Sequence, residues 1–270
     1  MARVEKYRSG AVTYELRHNS RECPQPPSNV EIDPSRSHMN YSLSENGSKA
    51  AECRKYYRER ISELYVYGQG KRNDVNTMCQ WVITAPKDLA KDQERAFFEA
   101  AHDYCNGLYG AKNCIQSTVH YDEGIRNAEG ELIAGRPHLH YCFIPVVKNS
   151  KYLKPNRYGN ISGPALYKEK CCANDVLTRS HLRGWHNHFQ KVLDDRGIKC
   201  TVLNGSTDGK GQTVDQLKAA TKDEIIKELK AENQLLKEKT HNIEKTKERP
   251  AWSHSSTGWS RGDKTWQKEY

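Results

Sequence analysis

The run GRPHLHYCFIPV (residues 135–146) constrains this chain more than any other stretch. Side chains two apart on a strand share a face. His138, His140 and Cys142 therefore fall on one side, and Leu139, Tyr141 and Phe143 on the other. The apolar set belongs in a core. The two imidazoles need a different reason to sit side by side.

Neighbouring segments supply the rest of a sheet. AVTYELRH (residues 11–18) alternates loosely and reads as a strand ending at His18. Pro24, Pro26, Pro27 and Pro34 then mark an extended loop. Residues 49–68 have helical spacing, and MCQWVITAP (residues 78–86) reads as a short buried strand stopped by Pro86. Residues 91–110 form an amphipathic helix closed by glycine. NCIQSTVHYDE (residues 113–123) and PHLHYCFIPVV (residues 137–147) are strands, and the polar GIRNAEGELIAGR between them suits a hairpin joining antiparallel neighbours. Leu182, Trp185, Phe189 and Leu193 lie on one stripe of a core-packing helix, followed by a short strand, KCTVLNG (residues 199–205). Antiparallel strands interspersed with covering helices point to an α+β fold, a central antiparallel sheet flanked by helices, rather than a doubly wound parallel sheet.

This domain is expected to occupy residues 1–212. Residues 213–249 form a charged helical extension with Ile226, Leu229, Asn233, Leu236, Thr240 and Ile243 in a/d register. Asn at an a position followed by Leu at d fixes register in parallel coiled-coil dimers, so the extension pairs into a homodimer or packs on the domain. Residues 250–270 read as a poorly ordered tail.

Lys and Arg number 43 against 34 Asp and Glu, a net charge of +9 that favours a polyanionic partner such as nucleic acid. The nine cysteines are odd in number, irregularly spaced and without a C-x-x-C pair. The N-terminus lacks the apolar core of a signal peptide, and no apolar run approaches the ~20 residues that span a bilayer. A reduced, cytoplasmic protein without membrane insertion is expected.

His120 ends the strand expected to pair with the His138/His140 strand, just before Asp122 and Glu123. Three imidazoles on adjacent antiparallel strands can converge on one cation. Three neutral ligands leave most of a divalent charge uncompensated, which suits polarising an anionic phosphate oxygen. Imidazole chemistry alone also admits zinc, nickel or copper.

The hydrophobe–His–hydrophobe–His alternation resembles the His-hydrophobe-His endonucleases, which include rolling-circle replication initiators and conjugative relaxases. RHNSR (residues 17–21), EIDPSRSHMNY (residues 31–41) and HYDE followed by PHLHYCFIP occur in the order found in the MobV relaxases, the Pre/Mob plasmid mobilisation and recombination proteins. VLNG (residues 202–205) is similar as well, and the likeness spans residues 3–218. One departure is the insertion GIRNAEGELIAGR between Glu123 and His138, which reads as a longer hairpin tip.

The resemblance implies manganese or magnesium, less so zinc, held by His120, His138 and His140. It leaves Glu123 either completing the shell or orienting a ligand from outside it, and Asp122 either an acceptor behind a ligand or an exposed turn carboxylate. The histidine of H-N-x-R maps to His18 as nucleophile, and Arg21 would steady a phosphate oxygen. A neutral imidazole can attack phosphorus without a separate base, giving a phosphoramidate. The implied activity is site- and strand-specific nicking of a plasmid transfer origin, with a covalent protein–DNA intermediate. The implied partner is origin DNA, hairpin and single-stranded nick region, in a bacterial cytoplasm. Arg36, Asn40, Lys71 and Arg72 are candidates for phosphate contacts, and Tyr41 or Trp81 for base stacking. The basic helix RKYYRER (residues 54–60) either lines the DNA path or is a solvated face. His181, His186 and His188 do not share one helix face and are treated as surface or DNA-contacting residues. Two alternatives stand beside this reading: a rolling-circle initiator with Tyr41 as nucleophile, and a non-catalytic DNA-binding protein with structural zinc.

Overall fold

A computed structural model describes residues 2–22, 31–68, 72, 74–126, 132–202, 226–227 and 230–239. The strands are β1 (Ala2–Arg8), β2 (Tyr41–Ser42), β3 (Tyr65–Val66), β4 (Asn76–Thr84), β5 (Cys114–His120), β6 (Gly124–Arg126), β7 (Leu132–Ala134), β8 (His138–Phe143), β9 (Val146–Lys148) and β10 (Glu169–Cys171). The helices are α1 (Ser9–Asn19), α2 (Ala50–Ser62), α3 (Glu94–Tyr109), α4 (Ala173–Val176) and α5 (Arg179–Asp195).

One sheet runs β1-β4-β8-β5-β2, antiparallel throughout. The strand carrying the histidines is its centre, buried along its whole length. Alternation along β8 divides the interior in two. Leu139, Tyr141 and Phe143 join Trp81, Ile83 and Val119 beneath α3 and α5, where Phe97, Phe98, Trp185, Phe189 and Leu193 close the layer. Trp81 and Trp185 stack with ring centroids 4.3 Å apart. On the other face Cys142, Ile115 and Met78 pack against Val12 and Leu16 of α1 and Cys53 and Tyr57 of α2. The α+β architecture is the one the sequence predicts.

A smaller sheet, β3-β10-β9, lies beside the main one, and β6 and β7 form the hairpin read from GIRNAEGELIAGR. The eight described cysteines are unpaired, and six of them are buried. No described helix is long and apolar enough to cross a membrane. The chain divides into two units, Met1–Val214 and Asp215–Tyr270. In the second, residues 226–227 and 230–239 are helical. Leu229, Thr240 and Ile243 of the a/d pattern, and the 250–270 tail, lie outside the described residues.

Two segments differ from the sequence expectation. Residues 11–18 are helical, because Val12, Leu16 and Asn19 are the buried positions and their spacing is helical. Val12, Tyr14 and Leu16 also satisfy a two-residue alternation, and that ambiguity produced the strand reading. Residues 199–202 carry no strand pairing, and residues 203–205 of that expected strand are outside the described set.

Candidate metal centre and active site

Antiparallel register puts His120 of β5 directly opposite His138 of β8. His140 is two residues further along the same face. The ring centroids of the three lie 4.7 to 5.6 Å apart. Glu123 follows β5 and turns back into the cluster, so that ligand atoms from His120, Glu123, His138 and His140 all lie within 4.8 Å of one another. The inserted hairpin does not displace this carboxylate. Its base is closed by the Gly135 N–H donating to the Glu123 carbonyl at 2.9 Å.

The protons of this cluster can be assigned from its partners. The Asn19 carbonyl can only accept, so His120 Nε2 at 2.8 Å is the donor. That leaves His120 Nδ1 a lone pair, buried, without a hydrogen-bond partner and 3.7 Å from Glu123 Oε1. The same logic makes His138 Nδ1 donate to the Arg136 carbonyl at 3.3 Å, so its Nε2 lone pair faces Glu123 Oε2 at 3.4 Å. Neither ring nitrogen of His140 has a partner. Burial pushes the His120 imidazole down to about 4 and His140 well below its ordinary value, so both are neutral.

Three imidazole lone pairs and a carboxylate thus face one another in a buried space. Orphaned buried acceptors are costly, and a divalent cation is the group whose chemistry satisfies all four. The N–H bonds to Asn19 and Arg136 are the outer contacts that fix ligand tautomers at metal sites.

His18 stands beside this cluster on the last turn of α1, not at the end of a strand. Its side chain is 19% exposed and its Nε2 lies 3.6 Å from Glu123 Oε1. Its ring centroid is 6.3 Å from that of His140. After the helix, Arg21 takes a left-handed backbone conformation (φ 57°), a position that favours glycine. Its N–H closes on the His18 carbonyl at 3.0 Å, and the side chain is turned back toward the histidines. There it meets Asp122 through two hydrogen bonds, at 2.6 and 2.9 Å, and Glu123 at 2.9 Å. Its Nη1 lies 3.5 Å from His18 Nε2 and donates to the His18 carbonyl at 3.1 Å. Asp122 is completely buried, so the exposed-turn alternative for this carboxylate does not describe it.

The remaining candidates scatter. Asn40 accepts from the Tyr121 N–H at 2.8 Å and braces the Tyr121–Asp122 turn from inside. Tyr41 pairs with Val119, and Val119 belongs to the core under α3. Its ring therefore lies across the sheet from the histidines, under the Arg95 guanidinium at 5.0 Å. Burial pushes its hydroxyl up to about 12. Arg36 sits half-buried on the short 3-10 turn Pro34–Met39. Arg72 is exposed, pairs with Asp74 and precedes the start of β4, whose other end adjoins the histidines roughly 26 Å away at 3.3 Å per residue. Lys71 lies outside the described residues. Trp81 is core, its Nε1 donating to the Tyr109 hydroxyl at 2.8 Å. In the basic helix Arg60 is buried and bound to Glu63 and Glu169. His181 reaches the Tyr109 hydroxyl at 2.8 Å, and among the described residues His181, His186 and His188 do not form a metal-binding group.

Two contributors were not singled out from the sequence. Asn19, inside the RHNSR motif, supplies the carbonyl for His120 and donates from its side chain to Gln80 at 2.8 Å. Ser37, inside EIDPSRSHMNY, donates to Asp122 Oδ2 at 2.6 Å. Both stand in motifs whose other members drew the sequence reading.

Comparison with known proteins places this geometry. The Mob_Pre family model, described as plasmid recombination enzyme, matches residues 1–219. A plasmid recombination enzyme of Streptococcus agalactiae is 27% identical over 232 residues, 84% of this chain and 40% of that protein. One of Lactiplantibacillus plantarum is 25% identical over 211 residues, 77% of this chain and 49% of that protein. The chain spans less than half the length of these relatives. Among solved structures, the manganese-bound MobM relaxase domain in complex with plasmid pMV158 oriT DNA superposes with a TM-score of 0.60 at 26% identity, covering 82% of this chain and 97% of that one. Taken with the family match over most of its length, this shows that the chain belongs to the Mob_Pre family of plasmid recombination enzymes.

Proposed function

We propose that residues 1–212 are the nicking domain of a metal-dependent relaxase. It cuts one strand of a plasmid transfer origin by transesterification, for mobilisation or recombination of the plasmid. The observation that carries this reading is the buried convergence of three imidazole lone pairs and Glu123 beside a fourth, partly exposed imidazole, His18. Manganese in the solved MobM complex supports a divalent cation held here by His120, His138, His140 and Glu123. When bound, such a cation polarises a non-bridging phosphate oxygen.

The chain's own residues supply the rest. His18 attacks the phosphorus through the ring nitrogen that carries its lone pair. The P–N bond forms as the bond to the 3′-oxygen breaks, the 3′-oxygen takes up a proton, and the 5′-phosphate stays on the protein. The other ring nitrogen then gives up its proton to solvent, leaving a neutral imidazole ring on a phosphoramidate that keeps the single negative charge of the original diester. Because phosphoryl transfer is reversible from this intermediate, the strand can be rejoined without an external energy source. Arg21 acts mainly by holding Glu123 and the His18 turn, since its donors are already committed to Asp122, Glu123 and the His18 carbonyl. The position of Tyr41 on the opposite face argues against the rolling-circle alternative.

The test is a supercoiled plasmid carrying the element's own origin, incubated with the protein and manganese. Open circles with protein covalently bound to one strand, abolished by chelator, are expected. Intact supercoils under every cation condition would rule out the nicking function.

A further inference from the structure

The excursion between β9 and β10 is not used by the nicking site. From Lys148 to Lys168 it contains Lys148, Lys151, Lys154, Arg157 and Lys168, and no Asp or Glu. All five are exposed. Several cations elsewhere in the domain are matched: Lys112 and Arg60 share Glu169, Lys170 pairs with Asp175, Arg196 with Asp103 and Arg95 with Glu99. In the excursion none of the four lysines has a carboxylate partner among the described residues, and the carboxylate that follows them, Glu169, is already taken. Arg157 lies over the Tyr158 ring, 4.6 Å from its centroid.

The segment is held in shape. Asn149, buried, donates from its side chain to the Pro164 carbonyl at 2.7 Å and the Tyr167 carbonyl at 2.9 Å, and accepts from the Lys151 N–H at 3.0 Å. The Leu153 N–H bonds the Ala165 carbonyl at 2.9 Å, tying the two limbs together. Glycine at φ 78° (Gly159) and 58° (Gly163) allows the turns. Four large apolar side chains are left exposed on this frame: Tyr158 (70%), Leu166 (63%), Leu153 (56%) and Ile161 (46%). An ordered surface with unmatched cations around exposed apolar groups has the composition that lies against phosphates and sugars.

We infer that this excursion is a second DNA-binding surface, which grips the backbone of duplex DNA flanking the nick without reading its sequence. The choice of polyanion rests on the nicking reading. The choice of duplex rests on position: β8 runs roughly 17 Å from His138 to Phe143, and β9 follows that remote end. DNA that reaches that far is flanking duplex rather than the single-stranded scissile step.

The test uses the whole chain and a fluorescent 30-base-pair duplex of mixed sequence, so that no origin is needed. The variant K151Q/K154Q/R157Q/K168Q changes exposed side chains only, and N149A loosens the frame without removing charge. For the quadruple variant, binding at about 0.1 M salt should weaken about tenfold or more, and the slope of log affinity against log salt should fall by about three. A 12-nucleotide single strand should bind within about twofold of wild type. N149A should weaken duplex binding several-fold with the salt slope retained. Unchanged duplex affinity and slope in the quadruple variant would overturn the inference. So would an equal loss for the single strand, or a loss confined to phosphatidylglycerol vesicles. A wild-type protein that binds duplex in this salt-dependent way but nicks no plasmid would leave this surface standing and remove the proposed activity instead.

Discussion

Arg21 and Asp122, 101 positions apart in sequence, meet through two parallel hydrogen bonds, Nη2 to Oδ1 at 2.6 Å and Nε to Oδ2 at 2.9 Å. Asp122 is fully buried there, and Ser37 donates a third bond to it at 2.6 Å. The pair explains why a left-handed backbone position that glycine would occupy at no cost is held by arginine instead. Removing one partner of a buried ion pair leaves the other uncompensated, which costs about 3–5 kcal/mol. Asp122→Asn is expected to lower the melting temperature and, through Glu123, to reduce nicking about 10- to 100-fold. Ser37→Ala should cost only about 1 kcal/mol. Equal activity in Asp122→Asn and wild type, read from initial nicking rates, would remove the positioning role.

His140 carries two orphaned ring nitrogens in a buried site. In chelator, His140→Leu should melt at or above the wild-type temperature, because an unsatisfied polar group is replaced by an apolar one. With manganese the order should reverse, since the wild type gains stability from a ligand that the variant no longer holds. Calorimetric melting with and without metal distinguishes this from a structural role, in which the variant would be less stable under both conditions.

Gly135 is the close-approach position of the inserted hairpin. A Cβ there would lie 2.7 Å from the Glu123 carbonyl oxygen, a backbone atom with little freedom to move. Gly135→Ala is therefore expected to shift Glu123 and weaken manganese binding about tenfold, measured by titration calorimetry. Replacing residues 127–131 by a two-residue Asn-Gly turn should leave metal affinity within about threefold, because the pairing of Arg126 with Leu132 already sets the register. A collapse of affinity in the shortened protein would show that the insertion itself supports the site.

Tyr41 lies on the far face of the sheet, so Tyr41→Phe is expected to keep nicking within about threefold. His18→Ala should abolish the covalent adduct while leaving manganese binding in place, since His18 is not one of the four convergent ligands. Loss of adduct in Tyr41→Phe alone would restore the rolling-circle alternative.

Much of this was legible in the sequence where a periodicity or a strand pairing carried it. The two faces of β8, the opposition of His120 and His138, and the Trp185/Phe189/Leu193 stripe all follow from alternation or helical spacing within one or two elements. The reading failed where two periods fitted the same residues, as in α1, where Val12, Tyr14 and Leu16 alternate but Val12, Leu16 and Asn19 are buried. It was silent where function depends on contacts between distant segments. Nothing local distinguishes Asp122 from an exposed turn carboxylate, or Ser37 from any loop serine, until Arg21 is folded against both. Surface-looking charge is ambiguous in the same way: Arg60 in RKYYRER is a buried structural cation.

The central claim is that His18 carries the cut strand. It is tested most directly by trapping the covalent adduct with origin DNA and manganese, digesting it, and sequencing the modified peptide by mass spectrometry under neutral conditions that preserve a P–N bond. The account predicts a nucleotide on His18, in the peptide containing RHNSR, and release of that nucleotide by mild acid. An acid-stable nucleotide on a tyrosine, whether Tyr41 or the exposed Tyr14 one turn before His18 on α1, would contradict it.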